Sequence, residues 1–379
     1  MKIIVTAGGT GGHIYPALSI INKFKEENKN LEVLYIGTHN RMEKDIIPSL
    51  GIKYEELEIY GFTKNIKRDI KNIFLVNKAY KKSLQIIKNF KPDYVLGFGG
   101  YVTFPVIKAA HKLGVKTFIH EQNSIPGKSN KLLAKYADII GVTFEDSKKY
   151  FNKDKVIFTG HPRSDEAKKA KKITKDTLGF DKNKKLVVIV LGSLGSGSLD
   201  SVIRDYLNKV DNKEYQVLYI TGKNHYRNYE NLKLPSNIKI IPFFDDLIGL
   251  FKDTDVVISR AGSGVLNEII ALNIPAVIIP SPNVANNHQY YNALSLKEKK
   301  ACVMLNESNI NSSIIKENVE RILDDDEYRK DIVNNLKQME VVDSCNKIYN
   351  AVRGIDKWEH YKMYQWKNIQ LIKLVEMLK

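Results

Sequence analysis

Short apolar runs recur along the whole chain, separated by longer segments in which apolar residues repeat at helical spacing. This alternation is typical of β-α-β units, in which helices cover a parallel sheet. In the first half of the chain the apolar runs predict strands at 2–7, 31–37, 54–59, 94–97, 116–120, 138–142 and 156–159. In the second half they predict strands at 186–191, 215–221, 238–241, 256–259, 275–279 and 301–305.

The alternation breaks once, over 160–185, where Pro162 and the charge-dense run 166–175 precede a new apolar run. We therefore predict two Rossmann-like α/β domains, followed by a tail in which apolar and basic residues alternate at helical spacing. We expect the tail to pack back across the domains, with membrane contact as the alternative. Ligands bind beyond the carboxyl ends of the strands in open parallel sheets. Two such domains facing each other across a cleft would suit an enzyme with two substrates. The predicted ranges are 1–162, 163–345 and 346–379.

Composition narrows the class of protein. With 379 residues, 43% of them hydrophobic and 27% charged, the chain is neither disordered nor fibrous. The longest apolar run, 186–191, is far too short to cross a bilayer. The first residues lack the pattern of a secretory signal, so we expect a cytoplasmic protein. Cys302 and Cys345 do not form a CxxC pair, which argues against a disulfide framework or a zinc site.

The net charge of +16 favours an anionic partner. Part of this excess follows from a Lys-rich composition, but nine basic residues and one acid, Asp69, fall within 64–91. Because Ile70, Ile73 and Phe74 lie among these lysines, the segment fits an amphipathic helix on an anionic membrane surface. A surface helix whose apolar stripe packs on the sheet is the alternative.

A glycine-rich loop at 8–13 (GGTGGH) follows the first predicted strand, and Pro16 is expected near the start of the next helix. Glycines let the backbone approach a ligand closely, and a helix N-terminus attracts anions. The loop is neither a Walker motif nor a well-spaced GxGxxG. It predicts a phosphate site, although a single loop of this kind is also compatible with an ordinary tight turn.

The second domain repeats this design in two loops, 192–198 (GSLGSGS) and 259–264 (SRAGSG). Two such loops in one domain favour a nucleoside diphosphate. Glu268, early in the following helix, could accept both hydroxyls of a ribose. The amide-rich segment 286–292 suits recognition of sugar hydroxyls, or alternatively forms a polar loop and helix cap.

Several of these motifs occur together in a characteristic order. The order, from residue 3 to about 340, resembles the peripheral-membrane N-acetylglucosaminyltransferases of bacterial peptidoglycan synthesis. The resemblance implies a GT-B fold, with UDP-GlcNAc on the C-terminal domain and the lipid-linked muramyl-pentapeptide, lipid I, on the N-terminal domain. It also implies an inverting reaction that forms a β-1,4 linkage and lipid II at the cytoplasmic face of the membrane. The matching motifs are 8–13, 97–102, 120–123, 159–163, 192–195, 259–262 and 288–293.

The resemblance also implies roles for individual residues. It places the backbone around Phe244 on uracil, Glu268 on ribose, Ser193 on the pyrophosphate, and His288, Gln289 and Asn292 on GlcNAc. The donor-side set is Thr10, Gly11, Gly12, Asn123, Arg163, Ser193, Phe244, Glu268, His288, Gln289 and Asn292. The acceptor-side set is Gly99, Gly100, Tyr101, His120 and Glu121, with His13 and its glycines beside the acceptor.

Displacement of UDP needs a base on the acceptor hydroxyl. We predict His13 in this role, with a helix cap or a phosphate contact as the alternatives. His120 and Glu121 are the next candidates, unless they are buried in support of the adjoining loop. The DxD sequence at 253–255 precedes a predicted strand and so lies at the sheet edge away from the cleft. We therefore expect no required cofactor, although a divalent ion could stimulate the reaction.

Three other functions fit the sequence less well. The acceptor-side motifs at 97–102 and 120–123 argue against a glycosyltransferase that acts on a lipid such as diacylglycerol. A nucleic-acid-binding protein would explain the charge but not three glycine loops, and the chain lacks a recognisable nucleic-acid motif. An NAD-dependent oxidoreductase would need a GxGxxG followed by a ribose-binding acid. No nucleic-acid partner is expected.

Overall fold

The computed structural model describes residues 1–61, 66–192, 197–210, 214–230, 232 and 234–355. The first domain contains a seven-stranded parallel sheet in the order β3-β2-β1-β4-β5-β6-β7. Its strands are β1 (Lys2–Thr6), β2 (Glu32–Thr38), β3 (Lys53–Leu57), β4 (Tyr94–Gly97), β5 (Lys116–Glu121), β6 (Ile139–Val142) and β7 (Val156–Phe158). Its helices are α1 (Gly11–Glu27), α2 (Glu43–Ser49), α3 (Ile66–Phe90), α4 (Thr103–Lys112) and α5 (Lys128–Leu133), and α6 (Pro162–Lys169) follows β7.

The second domain contains a six-stranded parallel sheet in the order β10-β9-β8-β11-β12-β13. Its strands are β8 (Lys185–Val190), β9 (Tyr215–Ile220), β10 (Ile238–Ile241), β11 (Val256–Ser259), β12 (Ala276–Ile278) and β13 (Val303–Met304). Its helices are α7 (Asp200–Lys209), α8 (Leu247–Phe251), α9 (Ser263–Leu272), α10 (His288–Lys297), α11 (Ser312–Asp324) and α12 (Asp326–Met339). A last helix, α13 (Ser344–Arg353), follows. Two Rossmann-like sheets confirm the predicted fold class, and each predicted strand is present.

Both sheets reverse their strand order at one point, between β1 and β4 in the first and between β8 and β11 in the second. Loops that follow these neighbouring strands diverge to opposite faces and leave a crevice in which ligands bind. The predicted glycine loops at 8–13, 192–198 and 259–264 all follow strands at these reversal points. The topology therefore explains why the glycines occur where they do.

Alternate residues of β1 enter different cores, as expected for a strand covered on both faces. Ile4 packs with residues of α3 and α4 on one face of the sheet. Ile3 and Val5 pack with residues of α1 and α13 on the other face. The first sheet is therefore buried between two helical layers.

Two helices connect the domains. α6 contacts both α1 and α9, and α13 returns from the second domain to pack on α1 and α6. Both carboxylate oxygens of Asp165 accept backbone N–H groups at the start of α13, from Ser344 at 3.1 Å and Cys345 at 2.6 Å. Ile348 and Val352 then enter the first domain's core. Residues 344–355 thus pack against the first domain, and the rest of the predicted tail lies outside the described residues.

Two other features of the helices bear on the predictions. The helix after β1 begins at Gly11, so Pro16 lies in its second turn and not at its start. The glycine loop and the helix therefore overlap, and His13 belongs to the first helical turn. Within the described part of the chain, none of the helices combines the length and the apolar character required to span a bilayer.

Candidate active site

Two glycine loops of the first domain pack directly against each other at the reversal point. Gly8 N–H donates to the Gly99 carbonyl over 3.2 Å. Gly99 and Gly100 have φ values of +102° and +87°, and a Cβ on Gly100 would lie 2.4 Å from the Gly8 carbonyl oxygen. Only glycine tolerates this backbone and this proximity. The glycines at 97–102 therefore allow the two loops to meet.

His13 lies on the surface formed by these loops. Its Nδ1 is 3.0 Å from the Gly8 carbonyl oxygen, which can only accept, so Nδ1 carries the hydrogen. A Cβ on Gly99 would lie 2.6 Å from the imidazole Cδ2, so the ring occupies the space that a side chain would fill. Burial lowers the pKa of His13 below its ordinary value of 6.5. The imidazole is therefore neutral near pH 7 and its Nε2 presents a lone pair.

The start of α1 is open to an anion. Thr10 is the N-cap residue, but its side chain makes no capping hydrogen bond. Thr10 and Gly12 are exposed. Because the first N–H groups of a helix have no partner inside the helix and lie at its positive end, this terminus suits a phosphate.

Arg163 joins the two domains through Glu268. Its Nε and Nη2 donate to Glu268 Oε1 over 2.9 and 2.6 Å, and its Nη1 donates to Glu166 Oε2 over 2.7 Å. The guanidinium also lies 5.4 Å from the centre of the Tyr15 ring. Burial raises the pKa of Glu268, and the Arg163 charge opposes this effect. Both predicted donor residues thus meet at the domain boundary, paired with each other.

Asn292 forms a second connection between the domains. Its Oδ1 accepts from Ser124 N and Ser124 Oγ over 2.9 and 3.0 Å. Its Nδ2 donates to Asn123 Oδ1 and to the Ala261 carbonyl over 3.1 and 3.2 Å. The side chain is fully buried. In this conformation the Asn292 amide is bonded to protein groups, and its contact with GlcNAc stays a prediction.

The two other predicted GlcNAc residues lie at the start of α10. His288 Nδ1 donates to the Ala285 carbonyl over 2.8 Å, and Gln289 Oε1 accepts from Ser281 N over 2.9 Å. The electrostatic interaction with His288 lowers the pKa of His13, behind the larger effect of burial. The structure therefore brings His288 of the second domain near His13 of the first.

His120 and Glu121 are buried at the end of β5. His120 Nε2 lies 3.0 Å from the Gly160 carbonyl oxygen and donates to it, and burial lowers the pKa of His120 to about 4. Glu121 accepts from Asn123 and Gly127 backbone N–H groups over 2.9 and 3.0 Å and from Asn130 Nδ2 over 2.8 Å. These contacts fit the alternative role, support of the loop that follows β5. Tyr101, a residue of the loop at 97–102, is half-buried and lies beside Gly61.

Phe244 and the DxD sequence make other contacts in the second domain. Phe244 follows β10 and packs partly against the second domain's core. Ser193 lies outside the described residues. In the DxD sequence, Asp253 pairs with Lys172 over 2.7 Å, and Asp255 accepts from Leu186 N over 2.7 Å. Both acids are thus occupied at the edge of the sheet where the strands begin. Of the side chains that the structure describes, no three metal-ligating ones form a group.

Sequence reasoning missed Glu43, the first residue of α2. Its side chain is fully buried, and Oε2 accepts from Gly9 N over 3.2 Å, directly beneath the His13 loop. A Cβ on Gly8 would lie 2.4 Å from Glu43 Oε1, so the glycine admits this carboxylate. A single glutamate among the polar residues 39–45 forms no recognisable motif, so only the fold reveals its position.

Comparisons with known proteins agree with this geometry. Residues 3–142 match the glycosyltransferase family 28 N-terminal domain, and residues 186–348 match the family's C-terminal domain. The chain is 40% identical over 363 residues to a UDP-N-acetylglucosamine--N-acetylmuramyl-(pentapeptide) pyrophosphoryl-undecaprenol N-acetylglucosamine transferase of Bacillus licheniformis, covering 94% of this chain and 99% of the relative. The protein of the same name from Bacillus subtilis is 39% identical, with 94% and 100% covered.

Solved structures agree in fold. The crystal structure of Acinetobacter baumannii MurG superposes with a TM-score of 0.75 at 23% identity, covering 94% of this chain and 99% of that one. The Staphylococcus aureus MnaA–UDP structure superposes with a TM-score of 0.69 at 16% identity, with 94% and 98% covered. The two domain matches and the full-length relatives together show that the chain belongs to glycosyltransferase family 28.

Proposed function

We propose that the chain is an inverting N-acetylglucosaminyltransferase that moves GlcNAc from UDP-GlcNAc to the C4 hydroxyl of the muramyl unit of lipid I. The product is lipid II, the β-1,4-linked disaccharide precursor of peptidoglycan. The observation that carries this proposal is the full-length match, at 40% identity over 94% of the chain, to a transferase named for these two substrates. The uncapped start of α1, after the reversal point of the first sheet, supports the proposal, because a helix N-terminus attracts the phosphates of such a donor.

The donor would lie mainly on the second domain. Within the described part of the chain, Glu268 Oε1 accepts both Arg163 bonds and Oε2 accepts none, so Oε2 could bind the ribose while Arg163 remains paired. Phe244 would provide backbone contacts for uracil, and the loop that contains Ser193 would meet the pyrophosphate. His288 and Gln289 would face GlcNAc from the start of α10.

In the chemical step the acceptor oxygen forms a bond to the anomeric carbon while the bond from that carbon to the UDP oxygen breaks. The bonding pair leaves with UDP, and the acceptor proton moves to Nε2 of His13. A neutral imidazole whose Nδ1–H is fixed on the Gly8 carbonyl is suited to this transfer. The N–H groups at the start of α1 would oppose charge that grows on the diphosphate.

Replacement of His13 tests the base assignment. We expect His13→Ala to lower turnover by about 100-fold or more, since general-base catalysis typically contributes that much. Donor affinity, measured by calorimetry on the same variant, should stay within about twofold because His13 does not carry donor binding in this proposal. Unchanged turnover would remove His13 from the mechanism and leave the donor site untouched.

The donor can be identified by calorimetric titration of the unmodified chain with UDP-GlcNAc, UDP-glucose and NADH. Tight binding of UDP-GlcNAc alone is expected, because UDP-glucose lacks the N-acetyl group and NADH lacks the sugar that the proposed site would contact. Equal binding of UDP-glucose would contradict the sugar assignment, and binding of NADH in place of both would favour an oxidoreductase.

Membrane association is proposed for α3, which would hold the enzyme at the cytoplasmic face beside its lipid substrate. Ile70, Ile73 and Phe74 are 52%, 57% and 71% exposed, and Lys71 and Lys78 are exposed beside them. Farther along the helix, residues such as Ile87 are buried in the core. The helix thus packs at one end and presents apolar and basic groups at the other. Of the predicted segment 64–91, residues 64 and 65 lie outside the described residues.

No cofactor is proposed to be required, because helix N-termini can oppose the charge on the leaving diphosphate. A divalent ion would then act only as a stimulant. Turnover after exhaustive chelation should persist at a substantial fraction of its original level, and complete loss that is restored by added magnesium would overturn this proposal.

A further inference from the structure

Glu43 is a buried carboxylate to which the proposed function assigns no role. It begins α2, is fully buried, and accepts three hydrogen bonds. Thr38 N and Thr38 Oγ1 donate to its Oε1 over 3.1 and 2.6 Å, and Gly9 N donates to its Oε2 over 3.2 Å. A buried carboxylate is costly unless it is well bonded, and Thr38 and Gly9 donate all three of these bonds.

One peptide unit separates Glu43 from His13. The carbonyl of Gly8, which accepts from His13 Nδ1 over 3.0 Å, and the N–H of Gly9, which donates to Glu43, belong to the same planar amide. In a trans peptide these two groups point in opposite directions, so Glu43 lies on one side of the amide and His13 on the other. Hydrogen bonds in such a chain polarise one another, and the carboxylate makes the Gly8 oxygen a stronger acceptor.

We propose that Glu43 is a positioning residue for His13, acting through the Gly8–Gly9 amide as a carboxylate acts directly on histidine in a catalytic dyad. It fixes the tautomer with hydrogen on Nδ1, turns Nε2 toward the acceptor, and stabilises the imidazolium formed when the proton is taken up. The inference rests on the proposed function, because it presumes that His13 is the base. The two glycines that admit this arrangement are Gly8, whose missing Cβ makes room for Glu43, and Gly99, whose missing Cβ makes room for the imidazole.

Charged and titratable groups from several elements surround Glu43 and His13. His13 faces Glu43 from α2, which raises the pKa of His13, and His288 from α10, which lowers it, while burial lowers it most. Tyr35 of β2, Tyr54 of β3 and Arg41 interact with the Glu43 charge from the other side. Removing the Glu43 charge should therefore lower the pKa of His13 further, because burial and His288 remain.

The test is an NMR titration of the unliganded chain labelled with ¹³C-histidine, with the His13 signal assigned by its absence in His13→Gln. In Glu43→Gln the titration midpoint of His13 should move to lower pH by about half a unit, as expected for a charge one peptide away. Asp45→Asn is the matched control, since Asp45 is an exposed acid in the same first turn of α2. Its midpoint should equal that of the unmodified chain.

The kinetic counterpart separates positioning from folding. In Glu43→Gln the plateau of kcat should fall about tenfold and the acid limb of the kcat/KM profile should move to lower pH together with the NMR midpoint. If the variant folds and the midpoint of His13 is unchanged, the proposal is wrong, whatever happens to turnover. If Glu43→Gln does not fold, Glu43→Asp decides, because it retains the charge but withdraws from Gly9. A smaller downward shift supports the proposal, and an unchanged midpoint overturns it.

The NMR titration and the turnover of His13→Ala test separate points. The NMR midpoint is measured without substrates, so it reports the link between Glu43 and His13 even if His13 is not the base. Full turnover in His13→Ala would instead remove the base assignment and leave the titration result intact.

Discussion

At Gly99 the backbone has φ +102°, and the His13 imidazole lies where a side chain would begin. We expect Gly99→Ala to lower turnover by at least about tenfold, because a displaced base loses the alignment on which proton transfer depends. Gly114→Ala is the matched control, since Gly114 has φ +69° and no atom near its missing Cβ. Both variants should lose about 1–2 kcal/mol of stability from the left-handed backbone. Equal turnover in the two variants would show that the position of His13 does not matter.

His120 makes the stability of the fold depend on pH. Its pKa is about 4 in the folded chain against 6.5 for an unperturbed imidazole, because it is buried. The unfolded chain therefore binds a proton below pH 6.5 that the folded chain refuses, and stability present above pH 6.5 is lost as the pH falls toward 4. The loss is about 3 kcal/mol for this residue. His120→Gln should flatten the pH dependence of the unfolding free energy, whereas the exposed His111→Gln should not.

The contacts that individual side chains make in the site were the least predictable from the sequence. A glycine loop predicts that the backbone comes close to another group, but it does not identify that group. The sequence therefore does not show that Gly99 leaves room for His13 and that Gly8 leaves room for Glu43. Asn292 carries the right groups for a sugar, and the same groups suit the protein contacts that it makes. Amide and carboxylate chemistry alone cannot decide between these partners, because the choice depends on which loops the fold brings together.

Among the helices, α3 is the one that we expect to bind an anionic membrane surface. Phe74→Ser should reduce co-sedimentation with vesicles containing anionic lipid several-fold, because Phe74 is the most exposed apolar side chain of the helix among those that the structure describes. Val342→Ser is the control, since Val342 is 62% exposed and lies outside α3. Binding to neutral vesicles should be weak for both variants and for the unmodified chain. Equal sedimentation of the unmodified chain with and without anionic lipid would defeat the membrane proposal.

The elements themselves were largely predictable. Strands covered on both faces are continuous apolar runs, which is why the central strands, such as β1 and β8, were found to within a few residues. The start of α1 was missed because two glycines, which are poor helix formers, open it. Tertiary packing of Ile14 and Ala17 in the core stabilises that first turn despite its glycines.

At the scale of the whole molecule, Asn292 holds the two domains together by bonding loops on both sides of the boundary. Asn292→Ala should leave these buried partners unsatisfied and favour more open arrangements, seen as a larger radius of gyration in solution scattering. Asn318→Ala is the control, since Asn318 bonds only within α11. An unchanged radius of gyration in Asn292→Ala would mean that other contacts hold the domains equally well.

The arrangement of the two domains was predictable in outline and not in detail. The break at 160–185 indicated two sheets, and the alternating tail was expected to pack back across the domains; α13 does pack on the first domain. The contacts that guide this return, such as those of Asp165 with the start of α13, are long-range and are not encoded in local patterns.

Transfer of GlcNAc from UDP-GlcNAc to lipid I can be measured directly. The purified chain is incubated with radiolabelled UDP-GlcNAc and either lipid I or diacylglycerol, and the labelled lipid product is analysed for its linkage. We expect label in lipid II alone, joined by a β-1,4 bond, and about 100-fold less of it with His13→Ala. Transfer to diacylglycerol in place of lipid I, or no transfer to either, would contradict the account.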